Sequence, residues 1–328
     1  MRNIITRTGF AVCAVLAAFA VGPAQAEFPE KPVTIVVPWQ AGSSPDVAMR
    51  TLASLASDDL GQPIVVQNIV GGSGSVGTLA VRNAEADGYT LLNNWVAPHV
   101  VARLFNPDIG YNDEDFAPLF GLIALPFTLA VRSDHPATDV PSFVEWANAQ
   151  DRPVNVGICA ALSVPRMVME EFLRASGVKS YKPVPFNGCM PDNVKALLDG
   201  SLDATTGVLI AEKIFGGAIK SLAVLTDDRV PFADHIPTAR EQGVDIGWGK
   251  TSQGWAGLVA PAGTPEANLA KLREVLGKHV QTAAFLDKMT AQFIPIEYSG
   301  PDEFRALWGS SAELLEPAVQ RLLKEKKN

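Results

Sequence analysis

Residues 33–46, near the start of the chain, constrain the fold more than any other stretch. Their first five residues form a β-branched apolar run, which predicts a buried strand. Pro38 ends this strand because proline lacks the N–H that a sheet ladder needs. Small residues follow, and Pro45 then opens a helix that is predicted to continue to about Leu60. A strand, a small-residue loop and a helix start direct free backbone N–H groups at one point, an arrangement that attracts anions.

The same alternation of strand and helix continues along the chain. It predicts an α/β fold with mostly parallel sheets. In such sheets, ligands bind at the loops beyond the carboxyl ends of the strands. Loops of small residues follow four predicted strands, at 41–44, 71–75, 159–163 and 187–190. These loops are therefore the candidate ligand-binding segments.

The first 26 residues have the pattern of a secretory signal peptide. Arg2 and Arg7 give a basic start, an apolar run follows, and 24–26 form a small-residue cleavage site. The apolar run is too short to cross a bilayer comfortably. We therefore expect a mature chain that begins near Glu27 and works outside the cytoplasm.

The net charge and the length of the chain reduce the range of possible functions further. Without the two arginines of the leader, 25 basic residues remain against 35 acidic ones, a formal charge of −10. This balance excludes nucleic acid as the expected partner, because nucleic acid requires a basic face. It leaves room for a small anion, which local dipoles can hold inside an acidic protein. A mature chain of roughly 300 residues is at the upper limit for one core, so two lobes are expected.

An enzyme is the main alternative class. A hydrolase needs a nucleophile, a base and an orienting acid, and no motif joins a serine or cysteine to one of the four histidines. A Cys159 nucleophile with a distant histidine stays open as the minor alternative. No cluster of His, Cys and Asp has metal-ligand spacing, and the glycine-rich run 70–77 lacks the Gly-Lys-Ser/Thr of a phosphate-binding loop. The sequence therefore favours a protein that is not an enzyme, with no metal and no cofactor.

Six phrases, in order along the chain, resemble one family. They are FPEKPVTIVVPWQAGSSPD, LGQPIVVQN with its GGSGSVG, DGYTLL, VPFNGCMPDNVKALLDGSLDA, IPTAREQG and GLVAPAGTP. The family that they resemble is the Bug-type (TctC-like) substrate-binding proteins of tripartite tricarboxylate transporters. The resemblance covers essentially the whole chain after residue 26.

The resemblance implies a two-lobed periplasmic-binding-protein fold, type II-like, with two crossover strands near 125–131 and 253–259. Lobe 1 would comprise residues 27–126 and 255–328, and lobe 2 residues 127–254. It also implies a periplasmic monomer that captures a small carboxylate and delivers it to the membrane subunits of a transporter. A periplasmic sensor kinase is the alternative recipient of the loaded protein.

The family holds a carboxylate near the hinge through backbone amides, small hydroxyls and ordered water. By position, the resemblance implies lobe 1 contacts at Trp39, Ala41, Gly42, Ser43, Ser44 and Ser75, and lobe 2 contacts at Cys159, Ala160, Ala161, Ser163, Asn187 and Gly188. Asn94 and Trp95 join these candidates because two amides and an indole at a strand end are typical of a cleft, although a packed, capped strand end is equally compatible with them.

Three departures from the family pattern indicate a more apolar site. The first loop has less glycine than usual, and the lobe 2 loop reads Cys-Ala-Ala-Leu-Ser. Gly207 stands where the family often has an aspartate that would suit a ligand amine. We therefore expect a carboxylate with a hydrophobic or aromatic body rather than an amino acid, and a plain dicarboxylate remains the alternative.

Two cysteines, Cys159 and Cys189, remain after removal of the leader. In an oxidising compartment such a pair can form a disulfide, which we favour because both follow predicted strand ends. Two free, buried thiols are the alternative, because sequence spacing alone does not decide the pairing.

Overall fold

The computed structural model describes residues 27–159, 163–186, 190–209, 212, 215–230, 233–292 and 294–325. Its strands form two sheets, one of six strands and one of five, with helices packed on them. The predicted α/β class with two crossovers is confirmed. The predicted signal peptide lies outside the described residues. Within the described ranges, no helix combines the length and apolar content needed to cross a membrane.

The six-stranded sheet carries the first part of the chain and the last. Its order is β11-β4-β10-β3-β1-β2. The strands are β1 (Val33–Val37), β2 (Ile64–Asn68), β3 (Thr90–Trp95), β4 (Phe116–Leu125), β10 (Gly254–Pro261) and β11 (Ile296–Ser299).

The five-stranded sheet carries the middle of the chain, in the order β7-β6-β8-β5-β9. The strands are β5 (Phe127–Arg132), β6 (Val154–Cys159), β7 (Tyr181–Phe186), β8 (Ala204–Val208) and β9 (Ile219–Val224). The chain enters this sheet through Pro126, between β4 and β5, and returns to the other sheet at β10. The exact lobe limits, 126 and 254, stay a prediction. Below, lobe 1 is the six-stranded sheet with its helices, and lobe 2 is the five-stranded sheet with its helices.

The prediction of mostly parallel sheets is wrong. β1 pairs parallel with β2 and β3, and β6 pairs parallel with β7 and β8. In contrast, β10 is antiparallel to β3 and β4, β11 is antiparallel to β4, and β5 is antiparallel to β8 and β9. The strands that pair in parallel end at the crossovers, whereas β5 and β10 begin there. β5 and β10 must therefore run in the opposite direction to the parallel strands. An apolar run in a sequence predicts a strand but not its direction.

The helices follow the predicted pattern closely. They are α1 (Ser44–Leu60), α2 (Ser75–Arg82), α3 (Ala102–Phe105), α4 (Val140–Asn148), α5 (Val164–Ala175), α6 (Met190–Leu198), α7 (Glu266–His279), α8 (Ala283–Ala291) and α9 (Pro301–Glu325). A π-helical turn covers Ala97–Val101. This turn, α3, α8 and β11 were not predicted from the sequence. Residues 239–243 form a series of turns.

The two largest of the four apolar clusters among the described residues hold most of the elements together. One lies between the six-stranded sheet and α1, α7 and α8, with Leu52 and Phe285 fully buried in it. The other runs through both lobes and contains Leu129 of β5, Phe172 of α5 and Trp308 of α9. Each fully buried side chain of this size contributes about 1.5–3 kcal/mol. Because α9 packs in the second cluster, the C-terminal helix joins the two lobes.

Candidate functional site

The loop between β1 and α1 carries five of the predicted lobe 1 contacts. Gly42 has a φ of +82°, a conformation that favours glycine, and its N–H donates to Asp46 Oδ2 at 2.9 Å. The Ser43 hydroxyl donates to the Gln40 carbonyl at 2.6 Å. Ser43 is the N-cap residue of α1 without a side-chain cap bond, and Ser44 is the first helical residue. The loop is therefore a tight turn with its small residues at the start of α1.

Asp46 anchors this loop from inside. Its carboxylate is 2% exposed and accepts hydrogen bonds from Arg50 Nε and Asn68 Nδ2, both at 2.9 Å. Asn68, the last residue of β2, also donates to the Trp39 carbonyl at 2.9 Å. Burial alone would raise the pKa of Asp46, but the hydrogen bonds from Arg50, Gly42 and Asn68 outweigh it and lower the pKa below its ordinary value. Asp46 therefore stays ionised and ties the loop to α1 and β2.

This network changes the expectation for the first loop. The sequence indicated N–H groups free for an anion, whereas the Gly42 N–H already binds the carboxylate of Asp46. This role of Asp46 was not predicted from the sequence. The available signal was its i,i+4 spacing to Arg50.

The glycine-rich loop before α2 packs on the first loop. Gly71, Gly72, Ser73 and Gly74 all have positive φ angles, 140°, 53°, 54° and 97°. A Cβ on Gly74 would lie 3.0 Å from Pro98 and 3.5 Å from Pro38, so glycine permits the close approach. The structure thus brings the two lobe 1 loops together.

Ser75, the predicted contact in this second loop, is nearly buried. Its hydroxyl oxygen lies 3.3 Å from the Tyr111 hydroxyl, which also donates to the Pro98 carbonyl at 2.6 Å. The Ser75 side chain is therefore held inside the fold beside Tyr111, which is itself bound to the turn that follows β3.

Asn94 and Trp95 are the last two residues of β3, inside the strand rather than after it. Trp95 packs edge-on against Trp39, with ring centroids 6.3 Å apart, and its Nε1 donates to Asn93 Oδ1 at 2.7 Å. Asn94 is fully buried, and in the part of the chain that the structure describes neither end of its amide has a hydrogen-bond partner. Trp39 Nε1 is in the same situation. An unpaired buried polar group costs about 1–3 kcal/mol, so these two side chains are marked as candidates for binding a polar group.

In lobe 2, two of the predicted contacts lie between β6 and α5. Cys159 is the last residue of β6, and the structure places it in a disulfide. Ser163 caps α5 by accepting the Arg166 N–H at 3.3 Å, and its hydroxyl donates to the Cys159 carbonyl. Ala160, Ala161, Asn187 and Gly188 lie outside the described residues. So does Cys189, and the Cys159–Cys189 pairing stays a prediction.

Gly207 lies in β8 opposite Thr128 of the crossover strand β5. A Cβ at position 207 would stand 2.7 Å from Thr128 Oγ1 and 3.2 Å from the Ala130 Cβ. A side chain there would therefore require the Thr128 hydroxyl to rotate away and Ala130 to shift by a few tenths of an ångström. The close pairing of β5 and β8 gives a physical reason for glycine where the family often has an aspartate.

The histidine that follows β3 belongs to the core. His99 is fully buried in the π-helical turn, its ring tilted by 58° against that of Trp308 with centroids 4.4 Å apart, and its Nε2 lies 2.9 Å from Asp113 Oδ1. Burial lowers the pKa of His99 despite the carboxylate. Among the described residues, no group of three or more His, Cys, Asp and Glu side chains is placed to hold a metal ion.

The chain matches one family over most of its length. The family described as "Tripartite tricarboxylate transporter family receptor" (TctC) matches residues 48–302. Protein BugT of Bordetella pertussis is 30% identical over 282 residues, 85% of each chain. A "UPF0065 protein in gbd 5'region" of Cupriavidus necator is 29% identical over 84% of each chain.

Solved structures of the same kind share the fold. A TctC solute binding protein from Polaromonas, without ligand, has a TM-score of 0.76 at 26% identity, over 90% of this chain and 99% of that one. An R. palustris protein solved with adipate has a TM-score of 0.74 at 27% identity, over 90% and 98%. MatC from Rhodopseudomonas palustris with bound malate has a TM-score of 0.69 at 26% identity, over 89% and 100%. The chain therefore belongs to the tripartite tricarboxylate transporter receptor (TctC) family of periplasmic solute-binding proteins.

Proposed function

We propose that this protein captures a small carboxylate with an apolar or aromatic body between its lobes and delivers it to the membrane subunits of a transporter. The observation that carries the proposal is the carboxyl end of β3 beside the first loop. Trp39 and Trp95 pack edge to face there, and the indole N–H of Trp39 has no hydrogen-bond partner among the described residues. Such a surface suits a ligand that has both an apolar face and a neutral or anionic acceptor.

The carboxylate of the ligand would bind at the helix starts. The N-termini of α1 and α5 follow the loops that carry Ser43 and Ser163, one in each lobe. A helix N-terminus stabilises an anion by about 0.3–1 kcal/mol, and more where the site is partly buried. Asp46 does not oppose this, because Arg50 neutralises its charge. Two modest contributions from opposite lobes favour a ligand held between them.

The relatives support the class of ligand. Two structural neighbours were solved with adipate and with malate, both of them dicarboxylates. For this chain, a plain dicarboxylate is therefore the alternative to an aromatic carboxylate. Gly207 disfavours an amino acid, because glycine has no side chain that could bind the amine.

A thermal-shift screen of the mature chain tests the proposal. The panel contains benzoate and other aromatic carboxylates, adipate and malate, and the amino acids glutamate and aspartate. A ligand that binds only the folded state raises the melting temperature, by an amount equivalent to about 2.7 kcal/mol at a concentration 100 times its Kd. We expect the largest shift with an aromatic or long-chain carboxylate. A shift with amino acids alone would contradict the proposed ligand class.

A bound molecule carried through purification would hide such a shift. Mass spectrometry of the denatured protein is therefore run on the same sample. If no carboxylate shifts the melting temperature and no small molecule is released, the proposed function is wrong.

A further inference from the structure

One side of the lobe 2 sheet carries three polar side chains. Thr205 and Gly207 lie two residues apart in β8, so they face the same side. Thr128 of β5 faces this side too, because a Cβ on Gly207 would lie 2.7 Å from its Oγ1. A Cβ on Gly157, which pairs with Thr205, would lie 3.0 Å from Thr205 Oγ1 and 3.4 Å from Asn193 Oδ1 of α6. We call Thr128, Asn193 and Thr205 the polar face of lobe 2.

Two members of the polar face lack a hydrogen-bond partner. Thr128 is fully buried, and Asn193 is 1% exposed. In the part of the chain that the structure describes, the Thr128 hydroxyl and both ends of the Asn193 amide are unpaired, whereas Thr205 donates to the Gly157 carbonyl at 3.0 Å. Buried polar side chains are nearly always hydrogen-bonded. The two unpaired groups therefore indicate a partner that comes from outside the chain.

Asn193 occupies a core position of α6. Val194 and Leu197, on the same helix, are buried in a small apolar cluster of lobe 2, whereas Asp192 and Lys195 are exposed. Packing alone would therefore favour an apolar side chain at position 193. A buried amide at this position, unpaired among the described residues, indicates recognition rather than packing.

The polar face lies at the ligand end of lobe 2. Gly207 is the last but one residue of β8, and Thr128 is the second residue of β5, next to the first crossover. Asn193 belongs to the first turn of α6, just after the predicted contacts at 187 and 188. Among the described residues, only Thr128 Oγ1 and Ala130 Cβ come within 4 Å of a Cβ at position 207. A ligand bound at the helix starts would therefore reach the polar face at Gly207, where no side chain covers the Thr128 hydroxyl.

We propose that the polar face binds an uncharged hydroxyl group of the ligand, so that the preferred ligand is a carboxylate whose apolar body carries a hydroxyl. Such a hydroxyl can donate to Asn193 Oδ1 or Thr128 Oγ1 and accept from Asn193 Nδ2, directly or through one ordered water. A second carboxylate fits poorly, because all three members of the polar face are uncharged and an unpaired buried charge is costly. The inference deepens the proposed function and rests on it for the binding of the first carboxylate.

Matched pairs of ligands test the inference in the wild type. Calorimetry compares 4-hydroxybenzoate with 4-methylbenzoate, and 3-hydroxybenzoate with 3-methylbenzoate, so that each pair shares the carboxylate, the ring and nearly the same size. We expect the hydroxylated member of at least one pair to bind about tenfold more tightly, as one or two hydrogen bonds to otherwise unpaired groups would produce. Equal binding within both pairs would overturn the inference and leave the proposed function intact.

An aliphatic pair replaces the aromatic ones if no benzoate derivative binds. Adipate and 6-hydroxyhexanoate differ only at the far end of the chain, where one has a second carboxylate and the other a hydroxyl. We expect the hydroxy acid to bind more tightly. Tighter binding of adipate would overturn the inference alone, whereas binding of neither compound would refute the proposed function and the inference with it.

Two substitutions remove the polar groups while keeping the shape of the side chains. Asn193→Leu and Thr128→Val should both fold, because they replace buried groups that are unpaired among the described residues. The matched control is Thr206→Val, the next position of β8, on the opposite side of the sheet, where the hydroxyl donates to the Gly157 carbonyl at 3.3 Å.

The readout is the ratio of the two dissociation constants within a ligand pair. A purely structural role would change both constants equally and leave their ratio unchanged. We expect each substitution on the polar face to reduce the preference for the hydroxylated ligand by about threefold or more, with little change for the methyl analogue, and the control to keep the wild-type ratio. A preference that survives both substitutions, or that the control loses equally, would overturn the inference.

Discussion

At the scale of single residues, the loop between β1 and α1, a candidate ligand loop, depends on Asp46. The carboxylate receives hydrogen bonds from the loop, from its own helix and from β2, through Gly42, Arg50 and Asn68. Such charge-assisted bonds inside a nearly buried site are among the stronger ones in proteins. The loop is therefore ordered before any ligand arrives, which lowers the entropy cost of binding.

Replacing Asp46 by asparagine tests this role. Asparagine keeps the shape but loses the charge and one acceptor, so one of the three donors is left without a partner. We expect Asp46→Asn to destabilise the fold by about 1–3 kcal/mol, measured by urea unfolding. Asp58→Asn, the same change at an exposed position of α1, is the control and should change stability little. Equal effects of the two substitutions would contradict the role of Asp46.

The low pKa of Asp113 predicts that the stability of the fold decreases in a defined acidic pH range. Although burial would raise its pKa, contacts with His99 and Arg103 lower it from 3.8 to about 2. A carboxylate whose pKa is lowered by folding stabilises the protein above its unfolded pKa, and this contribution is lost as the pH falls through the folded value. We therefore expect Asp113 to contribute roughly 2 kcal/mol at pH 5 and progressively less between about pH 4 and pH 2.

The measurement is urea unfolding of the wild type and of Asp113→Asn across this pH range. The two stability curves should converge as the pH falls from 4 to 2, because protonation removes in the wild type what the substitution has already removed. Curves that stay parallel would show that Asp113 does not titrate as described.

The residue scale also shows where sequence reasoning stops. The i,i+4 pair of Asp46 and Arg50 was visible in the sequence. The third member, Asn68, reaches it only because β2 pairs with β1 in the register that sets Asn68 beside Val37. Strand register depends on the packing of whole elements, so a buried network between neighbouring strands could not be predicted from the pattern alone.

At the scale of elements, the two lobe 1 loops are joined by glycines at the start of α2. A Cβ on Gly77 would lie 2.7 Å from the Ile69 carbonyl oxygen and 3.0 Å from the Pro38 Cβ. The helix therefore sits against the segment that ends β1, and any side chain at this position would separate them.

Gly77→Ala tests this close approach. The nearest neighbour is a backbone oxygen that cannot rotate away, so we expect a loss of about 1–3 kcal/mol despite the better helix propensity of alanine. Gly309→Ala in α9 is the matched control, because a Cβ there has no neighbour within 4 Å. The control should stabilise the protein by up to about 1 kcal/mol. Melting temperatures of the two variants that shift in the same direction would contradict the packing argument.

The long elements could be predicted from sequence and the short ones could not. The apolar run of β1, the proline at the start of α1 and Gly61 at its end are strong local signals, and both elements lie where expected. β11 has four residues, of which the middle two are exposed, and therefore no clear apolar pattern. The direction of β5 and β10 follows from their connection to the other lobe, which local patterns do not encode.

At the scale of the whole molecule, the crossovers and α9 are what unite the two lobes. Trp308 of α9 lies in the apolar cluster that spans both sheets, and Arg321 near its end pairs with Glu171 of α5 at 2.6 Å. The candidate ligand loops of lobe 1 meet at the carboxyl ends of β1 and β2. A ligand bound there and at the start of α5 would draw the lobes together.

Small-angle scattering during titration with the carboxylate that gives the largest thermal shift tests this central claim most directly. If the protein captures its ligand between two lobes, the radius of gyration should decrease as the ligand is added and level off at the concentration at which calorimetry shows saturation. A radius of gyration that stays constant while calorimetry shows full occupancy would contradict capture by lobe closure.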